Sequence, residues 1–199
     1  SLGRIYAEDA REISVKAMQL WMNVDIQQAD YILNTANVLY KQANKTWELQ
    51  PPDYDFKCLL KWAVMLHETG IAISYKRYQY HSAYLVSQSE MAGFDQQEKQ
   101  MLSTMMLNHK GKFDTSVYNE MDENITQKLI YLTIILRLAV RIHRGRDLEL
   151  TKPQLSIKNT NEIHLEFEDS WLKSHPLTQL DLETEAKHLN AIDFFLKLS

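Results

Sequence analysis

Cysteine is almost missing from this chain: Cys58 is the single one among 199 residues. No internal disulfide can form, which excludes a disulfide-stapled extracellular scaffold and fits a reducing, cytoplasmic compartment. Cys58 lies in the apolar run FKCLLKWAVML and reads as a small core hydrophobe. Helix breakers are also few, with five Gly and four Pro. Charge of one sign is not in excess, since the net charge is -4. Without a global positive field, neither nucleic acid nor an anionic membrane is expected as a partner, and any polyanion site must be local. Long apolar runs are missing as well: Leu129 to Ile142 is interrupted by Thr133, Arg137 and Arg141. No integral membrane segment is expected, and the opening SLGRIYAEDAREIS has no apolar stretch behind a basic flank, as a signal peptide would require.

What is present is the raw material of a core, with 45% hydrophobic and 24% charged residues. Up to Gly145 the apolar residues recur at three- and four-residue spacing, which predicts helices near residues 7–22, 26–46, 54–69, 81–91, 95–109 and 123–144. Pro51 and Pro52 separate the second from the third, Gly70 stops the third, and Asp95 with Glu98 forms a capping box for the fifth. Beyond Gly145 the pattern alternates. Gln154–Lys158 and Glu162–Glu168 read as a hairpin joined by Asn159-Thr160-Asn161, followed by a helix over 181–191 and a closing strand over 194–198. The expected fold is mainly α: a helical domain at 1–146, then a small α+β domain at 147–199 with three strands and one principal helix.

The chemistry-bearing candidate is His67-Glu68, at the end of LLKWAVMLHETG. An imidazole beside a carboxylate can hold a divalent ion, which makes a hydroxide nucleophile of bound water. His81 and His109 follow at spacings suited to later helices. The bland alternative is a hydrogen-bonded histidine at the edge of the core, since Leu60, Val64 and His67 share one helical stripe.

LLKWAVMLHETGIAI resembles the signature in which HD-domain helices end in their metal-binding pair. The longer set WAVMLHETGIAI, YHSAYLVSQSEMAGFDQQEKQML, NHKGK, LIYLTIILRLAVRIHR and IHLEFEDSWLKSHPLTQLDLETEAKHL is similar to the C-terminal region of the Ppx/GppA family of exopolyphosphatases and guanosine pentaphosphate phosphohydrolases. The resemblance covers essentially the whole chain. It implies a degenerate HD-like domain followed by a small terminal domain. It also implies a catalytic half, made of two actin-like domains holding the phosphates, Mg or Mn and a glutamate, that is not part of this sequence. On that footing the chain alone is expected to be inactive and to hold no cofactor of its own. A complete HD site also needs an upstream histidine and a late aspartate, yet His67 is the first histidine and Val140 stands at the late position. No metal is expected; if one bound, its ligands would be His67, Glu68 and His109.

The resemblance implies a partner in inorganic polyphosphate or guanosine pentaphosphate, through the full-length enzyme, and a homodimer paired through this region. Candidate phosphate contacts are Lys76, Arg77, Lys110 and Lys112, with Arg137 and Arg141 as a second stripe at i,i+4. Gln79 and Tyr80 depart from the histidine and arginine that relatives carry before HSAY. Two other readings stay open: a metal-dependent HD phosphohydrolase acting on nucleotides, and a regulatory HD-like module without anion affinity.

Overall fold

The computed structural model describes residues 2–146 and 151–199, and the side chains from residue 10 onward within that range. The helical part runs α1 (Leu2–Trp21), α2 (Ile26–Trp47), α3 (Phe56–Leu66), α4 (Tyr78–Gln88), α5 (Gln96–Leu107) and α6 (Glu123–Ile142). Strands β1 (Gln154–Lys158) and β2 (Glu162–Glu166), helices α7 (Trp171–Ser174) and α8 (Pro176–Asn190), and strand β3 (Phe195–Leu198) complete the chain. The mainly α class with a small three-stranded terminal unit is as the sequence predicts. The boundary placed between 146 and 147 borders residues 147–150, which lie outside the described residues.

Aspartate opens four of these helices. Asp25, Asp55, Asp95 and Asp122 each accept a hydrogen bond from a backbone N–H of the first turn, and Asp95 forms the expected capping box with Glu98. A carboxylate there satisfies an orphan donor and meets the positive end of the helix dipole. α3 and α6 are apolar nearly all round, because both are enclosed: Trp62 to Leu66 are buried without a break, as are Leu132 to Ala139. α6 lies against α2, α3 and α8 at the centre of the molecule. Cys58 on α3 is half-buried, and burial first, then Asp55, push its thiol up to about 11, so it is a poor nucleophile.

The sheet order is β1-β2-β3, with β1 antiparallel and β3 parallel to β2. Leu155 faces Leu165 and Ile157 faces Ile163, so one face of the hairpin is apolar and packs inward. The connecting turn holds Asn159 and Thr160 at φ 54° and 64°. Asparagine tolerates this region and a β-branched threonine does not. The Trp47 indole donates to the Thr160 carbonyl at 2.7 Å, while its ring stacks on Tyr131 at 4.4 Å and meets Phe194 edge-on. One aromatic residue thus fastens the hairpin turn to α2 and α6, and the core runs without interruption from the helical part into the terminal unit.

Several boundaries differ from the sequence reading. α1 begins at Leu2 rather than residue 7, and α4 occupies Tyr78–Gln88 rather than 81–91. The final helix begins at Pro176, five residues before its apolar spacing becomes visible, because proline is well placed at the first helical position. α3 ends at Leu66, and a 3-10 turn at Thr69–Ala72 follows it. Gly70 therefore does not stop the helix. A Cβ there would lie 2.3 Å from the Tyr78 carbonyl oxygen and 2.5 Å from the Ser82 nitrogen, so glycine lets α4 press its backbone onto the turn.

Candidate functional site

The turn after α3 and the turn after α5 deliver the two central side chains in the same manner. His67 Nδ1 lies 2.6 Å from the Val64 carbonyl, and His109 Nδ1 lies 2.6 Å from the Met106 carbonyl. A carbonyl oxygen only accepts, so each Nδ1 carries the proton and each neutral ring presents its Nε2 as an acceptor. Both rings are buried, with centroids 5.1 Å apart at 76°. Burial holds the His67 pKa below the ordinary value in spite of Glu68 beside it. His109 is held well below, by burial and then by His67. The Tyr78 hydroxyl lies 3.5 Å from His109 Nε2.

These groups open onto a cavity of about 90 Å³ whose charged lining is Glu68, Lys110, Arg141, Arg144 and Arg146. The single carboxylate is already engaged, since Glu68 accepts from Arg146 Nη2 at 2.7 Å and stands 3.9 Å from His67 Nε2. Arg146 also reaches Asp25 at 3.0 Å. Arg141 and Arg144 share Asp181, at 3.6 and 3.2 Å. Lys110 has no carboxylate partner among the described residues; its ammonium lies over the Tyr78 ring, 4.2 Å from the centroid, and 5.7 Å from that of Tyr75. Burial, then Arg144 and Arg141, lower its pKa. The cavity is thus a small positive pocket with two neutral imidazoles at its base.

A divalent cation does not fit this lining. Among the described residues no three His, Cys, Asp or Glu side chains gather as a metal set. Two imidazoles and a carboxylate neutralised by an arginine, ringed by cations, lack the negative charge that holds a hard ion. Val140 lines the cavity and offers no donor.

The other sequence candidates are dispersed. His81 is half-buried on α4 and is not part of the cavity lining. Its neighbour Ser82 is the functional member of HSAY in the fold: its hydroxyl donates to the His67 carbonyl at 2.7 Å and accepts from the Gly70 nitrogen at 2.8 Å, fixing the turn that carries His67. Lys76, Arg77 and Lys112 are exposed, and Arg77 lies over the Tyr80 ring at 4.6 Å. Arg137 is no surface cation. Fully buried, it binds both oxygens of Glu185, at 2.6 and 2.9 Å, and donates to the carbonyls of Asn108 and Gly111 at 2.6 Å each. The expected stripe of Arg137 and Arg141 is divided, because a side chain enclosed between α6 and α8 has no face for a phosphate, whereas Arg141 still lines the cavity. Arg144, Arg146, Tyr75 and Tyr78 are cavity residues that sequence reasoning missed, although the basic run RIHRGR straight after the central helix was a usable signal.

The family model described as Ppx/GppA phosphatase, domain III, matches residues 10–186. The chain is also 28% identical over 187 residues to the guanosine-5'-triphosphate,3'-diphosphate pyrophosphatase of Pseudoalteromonas translucida (strain TAC 125), across 94% of this chain and 37% of that protein. It therefore spans little more than a third of the length of that curated relative. No helix of the described residues is long and apolar enough to cross a membrane. Since the match takes in the helical part and most of the terminal unit, this chain belongs to the Ppx/GppA phosphatase family, in which it corresponds to domain III.

Proposed function

We propose that the chain serves as an accessory region of an exopolyphosphatase-type phosphatase: it binds the phosphates of inorganic polyphosphate or guanosine pentaphosphate and pairs with a second copy of itself, while hydrolysis depends on other domains of the parent enzyme. The observation that supports phosphate binding is the lining of the His67–His109 cavity, which gathers Lys110, Arg141, Arg144 and Arg146; the three arginines also hold Asp25, Glu68, Asp181 and Glu185, and Lys110 has no carboxylate partner among the described residues. Guanidinium and ammonium donors around a partly closed space are suited to phosphate oxygens. Lys76, Arg77 and Lys112 would extend the contact along a longer chain. Any Mg or Mn belongs to the parent enzyme's reaction, because the donor set here does not suit a metal.

Support for pairing comes from α1 rather than α6. The central helix is enclosed within the monomer, whereas Ile13, Leu20 and Trp21 are 69%, 71% and 87% exposed on one side of α1. An apolar stripe of that kind is a contact surface in search of a cover. Sedimentation of the chain tests this: a dimer that Trp21→Lys dissociates is expected, and a monomer at all concentrations overturns it.

The decisive test of the phosphate role is titration calorimetry with polyphosphate, alongside a phosphate-release assay in Mg and Mn. The expectation is binding that weakens steeply with salt, loss of affinity in Lys110→Glu, and no release by this chain. Unchanged affinity in that variant overturns the reading. So does phosphate release that His67→Ala abolishes.

A further inference from the structure

We infer that the His67–His109 cavity recognises the terminal phosphoryl group of a phosphate chain and excludes its internal links. The inference rests on the phosphate-binding role proposed above and assigns it a ligand chemistry. Size is the first argument. A space of about 90 Å³ is smaller than the roughly 150 Å³ that admits a benzene ring. It suits one tetrahedral group of five heavy atoms, so that a second phosphoryl unit or a nucleoside would lie outside its mouth. Its buried members, His67, His109 and Gln28, form the closed side; its exposed members, Tyr75, Arg144 and Arg146, form the open one. A chain end can enter such a pocket, but an internal link would need a way through.

Hydrogen-bond chemistry makes the same selection. An internal phosphate carries two bridging oxygens and no proton that titrates near neutrality. A terminal phosphoryl carries three free oxygens and a second proton with a pKa of about 6, so it offers both P–O⁻ and P–OH. The cavity matches that mixture. Lys110 and Arg144 are donors for the charged oxygens. The His67 Nε2, left as an acceptor by the Val64 carbonyl, has no use for an oxygen without hydrogen and pairs with P–OH, while the His109 Nε2 already faces the Tyr78 hydroxyl at 3.5 Å. A lining made only of cations would serve any polyanion; an acceptor at its base singles out the end.

The test is calorimetry of the whole chain with three probes: orthophosphate, tripolyphosphate with free ends, and tripolyphosphate esterified at both ends. Orthophosphate and the free-ended chain should bind, one per protein. Esterification should weaken binding by about tenfold or more, the effect of losing a charge-assisted hydrogen bond. Arg144→Ala, at an exposed position that leaves the fold intact, should bring the free-ended chain down towards the esterified one. Equal affinity for free-ended and esterified chains overturns end recognition and leaves polyphosphate binding standing. Failure of all three probes to bind overturns both readings.

Discussion

Arg137 and Arg146 stand nine positions apart, and each holds a glutamate, at 2.6 and 2.7 Å. The distances are alike and the roles are not. Arg137 and Glu185 are both fully enclosed, and the guanidinium satisfies two backbone carbonyls besides. Arg146 is 49% exposed and its pair with Glu68 sits at the mouth of a cavity. Solvent access, not contact length, decides whether a cation is a fastening or is free to exchange its partner for a ligand. The i,i+4 spacing of Arg137 and Arg141 carries no information about that difference.

The largest effect should come from the enclosed pair. Arg137→Ala leaves Glu185 with Arg141 alone, at 3.3 Å, and two carbonyls without their donor, and should lower the unfolding free energy by about 3 kcal/mol in chemical denaturation. The double variant Arg137→Met/Glu185→Leu should recover much of that loss, because it removes both desolvated charges. A single variant as stable as the parent would break the contrast. Gly70→Ala comes next. The added methyl meets α4 backbone, so a loss of about 1–3 kcal/mol is expected, together with altered His67 geometry. An unchanged melting temperature would show that α4 is not pinned there.

The third prediction concerns pH. His143 is buried, with Nε2 2.5 Å from the Thr35 hydroxyl, and burial lowers its pKa to about 4. The unfolded chain, with an ordinary histidine pKa near 6.5, binds that proton first. The unfolded state therefore holds more protons between about pH 6.5 and 4, and stability present above that window drains away as pH falls through it. His67 and His109 shift in the same direction. Melting curves across the window should show the decline, and His143→Gln should make it shallower; a flat profile would refute it. The smallest effect should be that of Arg146→Ala, about 1 kcal/mol or less because the pair is half-exposed, while phosphate affinity falls clearly. Large destabilisation would place Arg146 with Arg137 and erase the distinction.

Much of the fold could be read in advance because its determinants are local. The aspartate caps, the helical apolar spacing and the alternating hairpin are each visible within a short window, and Asp95 with Glu98 forms the predicted box. Errors gathered where a distant partner decides. Gly70 reads locally as a stop signal, but its reason lies on α4. Pro176 reads as a break and is a helix start. In the site, His67, Glu68 and His109 could be picked out by residue type, yet Glu185 could not, being one acidic residue among several on α8. Nor could the fate of Arg137 be seen, because nothing near it in sequence reports that α8 will close over it. His81 stands out in the sequence for its imidazole, whereas the adjacent Ser82 makes the bonds that fix the His67 turn.

The carbonyls that Arg137 holds belong to Asn108 and Gly111, on either side of the two pocket residues His109 and Lys110. The carboxylate that orients Arg137 comes from α8, in the terminal unit. Residues 176–190 are thus a keystone for a site to which Glu185 does not itself belong. A chimera that exchanges this segment for one without a carboxylate at position 185 would inherit every pocket side chain and lose the brace beneath two of them. Grafting the site onto another scaffold would therefore have to carry α6 and α8 together.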